Sequence, residues 1–380
     1  MTVRPVRPDD YEAVNALHRA VWWPERSAAG WRWLASNPAR ADIDAPTGWV
    51  VEDANGRVTA FVGNLVQRFR HGERRMHGAT GFSIVVAPGS QGQSRGLIRA
   101  VMKQPGVFSA YTFNANPAAS ALYSLFDLRA FPTPGDLKLA WIADPTACAI
   151  GRGLRRLVGR FPALAGVLGE RLMNRRLTQP EPLVLPEGVE MLTDLGDRSD
   201  YAAFWDRLAS EDRVLADRSP AMMRWRLADP DQTTPPVMLA FRRDGRITGY
   251  AQAILGKGNT IEPPFLEILD IEALGGEPDA VRVLASALID NARNLGAAKT
   301  RLQVASARLL ERLGDLTQSG RREGGWGHCH ALFAADAPDP ALWSPTPFDG
   351  DYGVCTRPPP VRTDRRRRES PAPAYYVAKA

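Results

Sequence analysis

One short stretch in the first third of the chain has the residue types and order to hold an anion. Gln91-Gly92-Gln93-Ser94-Arg95-Gly96 stands between an apolar run ending Val85-Val86 and a helical pattern expected over 96–103. The first amides of such a helix have no carbonyl partner, and the helix dipole lies behind them, so the turn attracts a phosphate or diphosphate. Gly92 and Gly96 keep side chains from holding the backbone away from a ligand, and Arg95 can add a charge. Further on, Asn116-Pro117 reads as an N-cap followed by proline at the first helical position. Tyr123 follows on that helix, where spacing alone suits a core tyrosine. His328-Cys329-His330 alternate as on a strand and have no third ligand nearby, so packing is expected there and no metal. His18, His71 and His77 are scattered and carry no triad spacing.

The elements that must hold these residues occur twice. Asp10-Tyr11-Glu12-Ala13-Val14 recurs as Asp200-Tyr201-Ala202-Ala203-Phe204, and Arg32-Trp33-Leu34-Ala35-Ser36-Asn37-Pro38 as Arg224-Trp225-Arg226-Leu227-Ala228-Asp229-Pro230. Asn55-Gly56-Arg57-Val58-Thr59 recurs as Asp244-Gly245-Arg246-Ile247-Thr248, at nearly the same separation. Self-similarity at a fixed offset is the mark of one fold used twice. In each copy a first helix (9–21; 199–209) and a Trp-bearing helix precede a strand (49–52; 237–241). A turn at Asn-Gly or Asp-Gly then leads to a second strand (58–65; 247–255) and a third (82–86; 265–271). Copy one continues with the loop, its helix, a strand over 107–113 and the Asn116 helix. The pattern predicts an α+β sandwich in each copy.

The 380 residues leave room for two domains. Net charge is +6, but 151–177 carries seven Arg against Glu170, and 361–380 carries five Arg and one Lys against Asp364 and Glu369. The remainder is slightly acidic, so nucleic-acid binding by the fold as a whole is not expected. The 151–177 stretch is apolar on one helical face and interrupted at Pro162, and reads as a linker; the tail around Arg365-Arg366-Arg367-Arg368 reads as disordered. No apolar run is long enough to span a bilayer. Three widely spaced cysteines argue against a disulfide framework, and a cytoplasmic protein is expected.

Val85-Val86-x-Pro88-x-x-Gln91-Gly92-x-x-x-Gly96, followed by Asn116-x-x-Ala119-x-x-Leu122-Tyr123, resembles the signature of the GNAT superfamily of acyl-CoA-dependent N-acyltransferases. The resemblance covers residues 3–141, with a second such domain over 188–335. It implies two GNAT-like mixed-sheet α/β domains in tandem: 1–145, a basic helical linker 146–186, 187–357, and a disordered basic tail 358–380. It assigns the backbone of Gln91, Gly92, Gln93, Ser94, Arg95 and Gly96 to the coenzyme A pyrophosphate. Val85 and Val86 would pair with the pantetheine amides, Asn116 would hydrogen-bond the same arm, and Tyr123 would be the general acid. Ser94 stands where the signature has a glycine, and 82–86 lacks the carboxylate that many members place there. Glu52, Asp53, Glu267, Asp270, Asp349 and Asp351 are the acids that could reach the site, and none is singled out as the base.

On the repeat alignment, the anion loop of copy one falls on Leu274-Gly275-Gly276-Glu277-Pro278-Asp279 in copy two, which carries acids and a proline where amides are needed. Copy two is expected not to bind the coenzyme, its Asn116 and Tyr123 regions falling on 304–306 and 310–311. The resemblance thus implies an N-acyltransferase moving an acetyl or small acyl group from acetyl-CoA or another acyl-CoA to a primary amine of a small molecule, saccharide or peptide. Two other functions fit the same residues: a non-catalytic acyl-CoA-binding scaffold, and an aminoacyl-tRNA-dependent envelope transferase using the basic stretch. The tryptophans Trp22, Trp23, Trp31 and Trp33 are expected to pack in the core or between domains.

Overall fold

The computed structural model describes residues 2–357 except 22, 91, 133–136, 159, 162–163, 165–166, 170, 172–180, 233, 260, 305 and 324–326. Gln91, Trp22, part of the basic linker and the arginine-rich tail therefore lie outside the described residues. Two sheets organise the chain. The first runs β1 (Thr2–Pro5), β2 (Gly48–Glu52), β3 (Val58–His71), β4 (Arg74–Val86), β5 (Ser109–Ala115), β15 (His328–Phe333) and β6 (Arg129–Ala130), with β9 (Leu215–Ala216) paired to β3. The second runs β14 (Arg321–Glu323), β7 (Lys138–Ile142), β13 (Lys299–Gln303), β12 (Phe265–Ala273), β11 (Arg246–Gly256), β10 (Val237–Arg243) and β8 (Val189–Met191).

The expected duplication is visible bond for bond. Ala87 N–H bonds Thr59 O at 2.8 Å in one copy, and Leu274 N–H bonds Thr248 O at 3.0 Å in the other. Gly56 (φ 76°) and Gly245 (φ 74°) make the equivalent turns, a region that costs glycine nothing. Strands β3 and β4 are much longer than expected, pairing out to His71 and Arg74 around Gly72. The charged sequence 68–75 hides this ladder from pattern reading, although Phe69 and Met76 are buried in it.

One feature departs from two independent domains. β7 follows copy one in sequence yet pairs with β13 of copy two, and β15 follows copy two yet pairs with β5 of copy one. The copies have exchanged equivalent strands. A shared core includes Phe69, Tyr111 and Phe113 of the first copy with Tyr201, Tyr250 and Trp343 of the second. Trp33 and Trp225, matching residues of the repeat, stack on each other at 4.7 Å. Chain divisions at 145 and 187 therefore do not coincide with the division into sheets, because burying both sheet edges by exchange leaves neither half complete alone.

Helices cover the first sheet on both faces. α1 (Tyr11–Ala20) and α2 (Ala28–Ala35) bury Val14, Leu17, Trp31 and Leu34 against Val50, Phe61 and Phe82. α3 (Pro38–Asp42) is a short connector. On the opposite face, α4 (Ser94–Met102) buries Leu97 and Val101 against Trp49, Ala60 and Val62; each such side chain contributes about 1.5–3 kcal/mol. α5 (Pro117–Ser124) and α6 (Pro145–Leu157) follow. In the second half come α7 (Asp200–Ala209), α8 (Pro220–Leu227), α9 (Ala280–Asp290), α10 (Ala307–Leu313) and α11 (Leu316–Ser319).

Candidate functional site

The site begins where two parallel strands part. β4 and β5 pair only over 78–80 and 109–111, and 81–86 and 112–115 have no ladder between them. A register shift opposite this point marks a bulge, and Ser83 is held there at φ 51°. A non-glycine residue in that region costs about 1–2 kcal/mol, and a bulge bends a strand and ends its pairing. The Ala87–Thr59 bond sets the phase of the β3–β4 ladder. Val85 thus turns its main-chain groups to Phe61 on β3, whereas Val86 turns its own to the edge that β5 has left. Of the two valines, only Val86 has main chain to offer; the Val85 side chain is buried under α1 and α2.

The turn into α4 follows. Gly92 has φ 89° and open space where a side chain would stand. The bonds that close this turn are Arg95 N–H to Gly92 O (3.4 Å) and Gly96 N–H to Gln93 O (3.2 Å), so the Gly92 and Ser94 amides have no protein acceptor among the described residues. Gln93 Oε1 accepts from the Thr59 hydroxyl at 2.7 Å, which ties the turn to β3, and Arg95 is exposed. Gly96 has a different role from the one its sequence position suggested. A Cβ there would lie 2.9 Å from Val3, so this glycine lets α4 close on β1 rather than clearing space for a ligand.

Asn116 caps α5, its Oδ1 accepting from Ala119 N–H at 2.8 Å, which leaves its amide group toward the cavity. One face of α5 carries Tyr123, 8% exposed. Burial pushes its phenol up to about 12, the charge of Asp351 adds to this, and a hydrogen bond with Thr112 opposes it. The exchanged strand β15 supplies the next neighbour: His330 lies against Tyr123 with ring centres 6.0 Å apart and bonds Ser120 Oγ at 2.7 Å. His330 thus faces α5, while Cys329 enters the shared core. Among the described residues no group of three or more His, Cys, Asp or Glu could hold a metal ion.

The opened edge gives onto a cavity of about 1100 Å³. Gly81, Ser83, Thr112, Asn114, Asn116 and Tyr123 line it from the first copy, and Trp23 and Pro24 lie at its margin. Residues of β7, β12, β13, β14 and the segment 351–357 form the facing wall. The α4 turn is not part of this lining. Six carboxylates could have served the site, and their partners separate them. Glu52 binds Arg4; Asp53 accepts from the amides of Asn55 and Arg57 in its own turn. Asp270 and Asp349 both bind the buried Arg218, at 2.8 Å each. Glu267 is held by Arg301 (2.9 Å) and Arg357 (2.8 Å), which bring its carboxyl down to about 2 despite burial. Among the described residues, Asp351 alone of the six lines the cavity without an ion pair: Cys355 Sγ donates to Oδ2 at 3.2 Å, and Oδ1 is buried without a described partner. Burial raises this carboxyl to about 6, against the hydrogen bond from Cys355 and the charge of Arg357.

The corresponding place in the second copy is filled. Glu211 Oε1 accepts from Gly275 N–H at 2.6 Å, so a protein carboxylate sits on the loop amide. Arg312 donates to the carbonyls of Ala273, Leu274 and Glu277, which occupies the main chain at the end of β12. Ser306 caps α10 as Asn116 caps α5. Counting from the caps, the position of Tyr123 is taken by Leu313, fully buried, three residues beyond the sequence alignment's choice of Leu310.

Neither a protein-family model nor a curated protein matches the sequence. Solved structures do match in fold. A GCN5-related N-acetyltransferase from Anabaena variabilis is 13% identical at TM-score 0.50, over 87% of this chain and 72% of that one. A probable N-acyltransferase from Enterococcus faecalis is 10% identical at TM-score 0.50, over the same shares. N-myristoyltransferase from Saccharomyces cerevisiae, with bound myristoyl-CoA, is 10% identical at TM-score 0.52, over 87% of this chain and 78% of that one. The fold is that of the GNAT acyltransferases, present here as two mixed sheets with their helices.

Proposed function

We propose that the chain is an N-acyltransferase that carries a small acyl group from its coenzyme A thioester to a primary amine, seating the coenzyme on the first copy alone while the segment after β15 supplies Asp351. The observation that carries this reading is the contrast between the open β4–β5 edge, with Tyr123 in its cavity, and the filled edge of the second copy. The Gly92 and Ser94 amides receive the diphosphate, with Arg95 beside them. Val86 pairs with the pantetheine arm, Asn116 donates to it, and the thioester then lies beside Tyr123. That a fold neighbour binds myristoyl-CoA supports an acyl-CoA donor.

The amine must lose a proton and the thiolate must gain one. Asp351, buried with a free oxygen and ionised at neutral pH, accepts the proton from the attacking nitrogen. The C–N bond forms, main-chain N–H at the β4 edge stabilises the oxyanion, and the C–S bond breaks. Tyr123 protonates the departing sulfur. Burial is the main reason its phenol is a weak acid, and the charge of Asp351 adds to this; the proton that Asp351 takes removes that second contribution, and that same proton then restores Tyr123. The acid becomes stronger as it is needed.

A thermal-shift series with acyl-CoA thioesters, paired with thiol release in the presence of amines, tests this. Acetyl-CoA at about a hundred times its Kd should stabilise the protein by about 2.7 kcal/mol. Absence of any shift with every thioester would overturn the reading.

A further inference from the structure

The cavity wall facing the opened edge is built by sheet alternation. Leu139 and Trp141 of β7, Leu302 of β13 and Leu266 and Ile268 of β12 enter the second core, so their neighbours Lys138, Lys299, Arg301 and Glu267 face the cavity. Among the described lining residues, nine are Lys or Arg and four are Asp or Glu. Three of the acids are already matched: Glu267 by Arg301 and Arg357, Glu323 by Lys299 at 2.7 Å, and Glu262 by Arg155. Cations remain, and Lys138 is the informative one. It is 8% exposed, lines the cavity, and has no hydrogen-bond or ion-pair partner among the described residues. Burial and neighbouring Arg301 draw its ammonium down to about 8, against the pull of Glu267 and Glu323. Arg321 and Arg322, on the adjoining edge strand, have no ion pair among the described residues either.

A buried ammonium with no direct ion-pair or hydrogen-bond partner, whose nearest carboxylates are already held by other cations, is costly unless something supplies one. The diphosphate of the donor has its own seat at the α4 turn, which is not part of this lining. Resting on the acyl-transfer reading, we infer that the acceptor amine carries an anionic group, a carboxylate or a phosphate, that docks on Lys138 while its nitrogen faces Asp351 and Tyr123. A polycationic acceptor is repelled by the same wall. The cavity, about 1100 Å³, has room for such a molecule beside the thioester.

Calorimetry on the full chain saturated with CoA tests this with two matched pairs: glucosamine 6-phosphate against glucosamine, and 4-aminobutyrate against butylamine. The anionic member of at least one pair should bind about tenfold or more tighter, and the pair that responds tells phosphate from carboxylate. Lys138→Met should remove most of that preference while CoA affinity stays within about twofold, and raising the pH from 7 to 9 should weaken it as the ammonium deprotonates. The exposed double variant Arg321→Ser/Arg322→Ser should lower it by about two- to threefold, a readout that survives if Lys138→Met does not fold. Equal binding within both pairs, or no heat from either anionic probe on CoA-loaded protein, would overturn the inference. So would a Lys138→Met protein that loses CoA and keeps the probe, since the wall would then serve the donor. Failure of CoA itself to bind would overturn the acyl-transfer reading and this inference with it.

Discussion

The two copies share turns, caps and ladder phase, yet they differ in what occupies the opened strand edge. In the first copy the loop amides at Gly92 and Ser94 have no protein acceptor among the described residues and a tyrosine faces the gap. In the second, Glu211 sits on the loop amide of Gly275, Arg312 ties the loop carbonyls, and Leu313 replaces the tyrosine. The scaffold alone does not make a coenzyme site. A site requires polar groups left unsatisfied by the protein, and a copy that satisfies them internally gains stability and loses the ligand.

The largest effect should come from the proton donor. Tyr123→Phe is expected to lower kcat by about 10²–10⁴-fold with little change in acyl-CoA binding, whereas Leu313→Tyr in the second copy should give no activity to a Tyr123→Phe protein. Unchanged turnover in Tyr123→Phe would end the comparison as a catalytic one and favour a binding scaffold.

Next is Asp351→Asn, expected to lower kcat/KM by about a hundredfold. The native profile should rise with pH through about 6 and level off as the carboxylate forms, and the variant should lose that limb. Stability runs the other way. Asp351 is raised from 3.8 to about 6 in the fold, so the native state holds the extra proton between those values. The stabilisation is present at low pH and lost as pH rises through 6. Near pH 7 the buried charge costs up to about 3 kcal/mol, and the asparagine variant should melt higher than the parent. A variant that is both inactive and less stable at pH 7 would point to a structural role instead.

Gly92→Ala should weaken acyl-CoA by about tenfold and cost about 1 kcal/mol of stability, because φ 89° disfavours a side chain. Gly275→Ala should leave coenzyme affinity untouched, as read by the same thermal shift. Smallest of all, Glu211→Ala should change stability by no more than about 1–2 kcal/mol and should not create a second coenzyme site, since Pro278 and the Arg312 bonds remain. A second binding stoichiometry in that variant would show that the filled loop is a plug and nothing more.

The repeat, the hairpins, the α4 turn and the Asn116 cap were legible because each is local: a dipeptide turn, a capping residue, a periodic face. Tyr123 was singled out only through the motif, since its spacing alone suits a core tyrosine, and the structure adds its place in the cavity wall. The 68–76 ladder was not, since charged residues on its open face mask the alternation that Phe69 and Met76 follow. Asp351 appeared in the sequence as one acid among six, and only the ion pairs of the other acids distinguish it. Lys138 carried no signal, being one lysine in an apolar strand.

What the sequence determined by itself is that one fold occurs twice and that the two copies carry different residue types at the loop, Gly92, Arg95 and Gly96 in the first against Glu277, Pro278 and Asp279 in the second. Both follow from side-chain types a few residues apart. The tertiary structure decided which groups meet in the cavity. Reciprocal exchange of β7 and β15 sets Lys138 on the second sheet and His330 beside Tyr123, and the segment after β15 brings Asp351 within electrostatic reach of the same phenol. Such meetings depend on long-range strand pairing and on the burial that shifts each group's acidity, neither of which is encoded in local spacing.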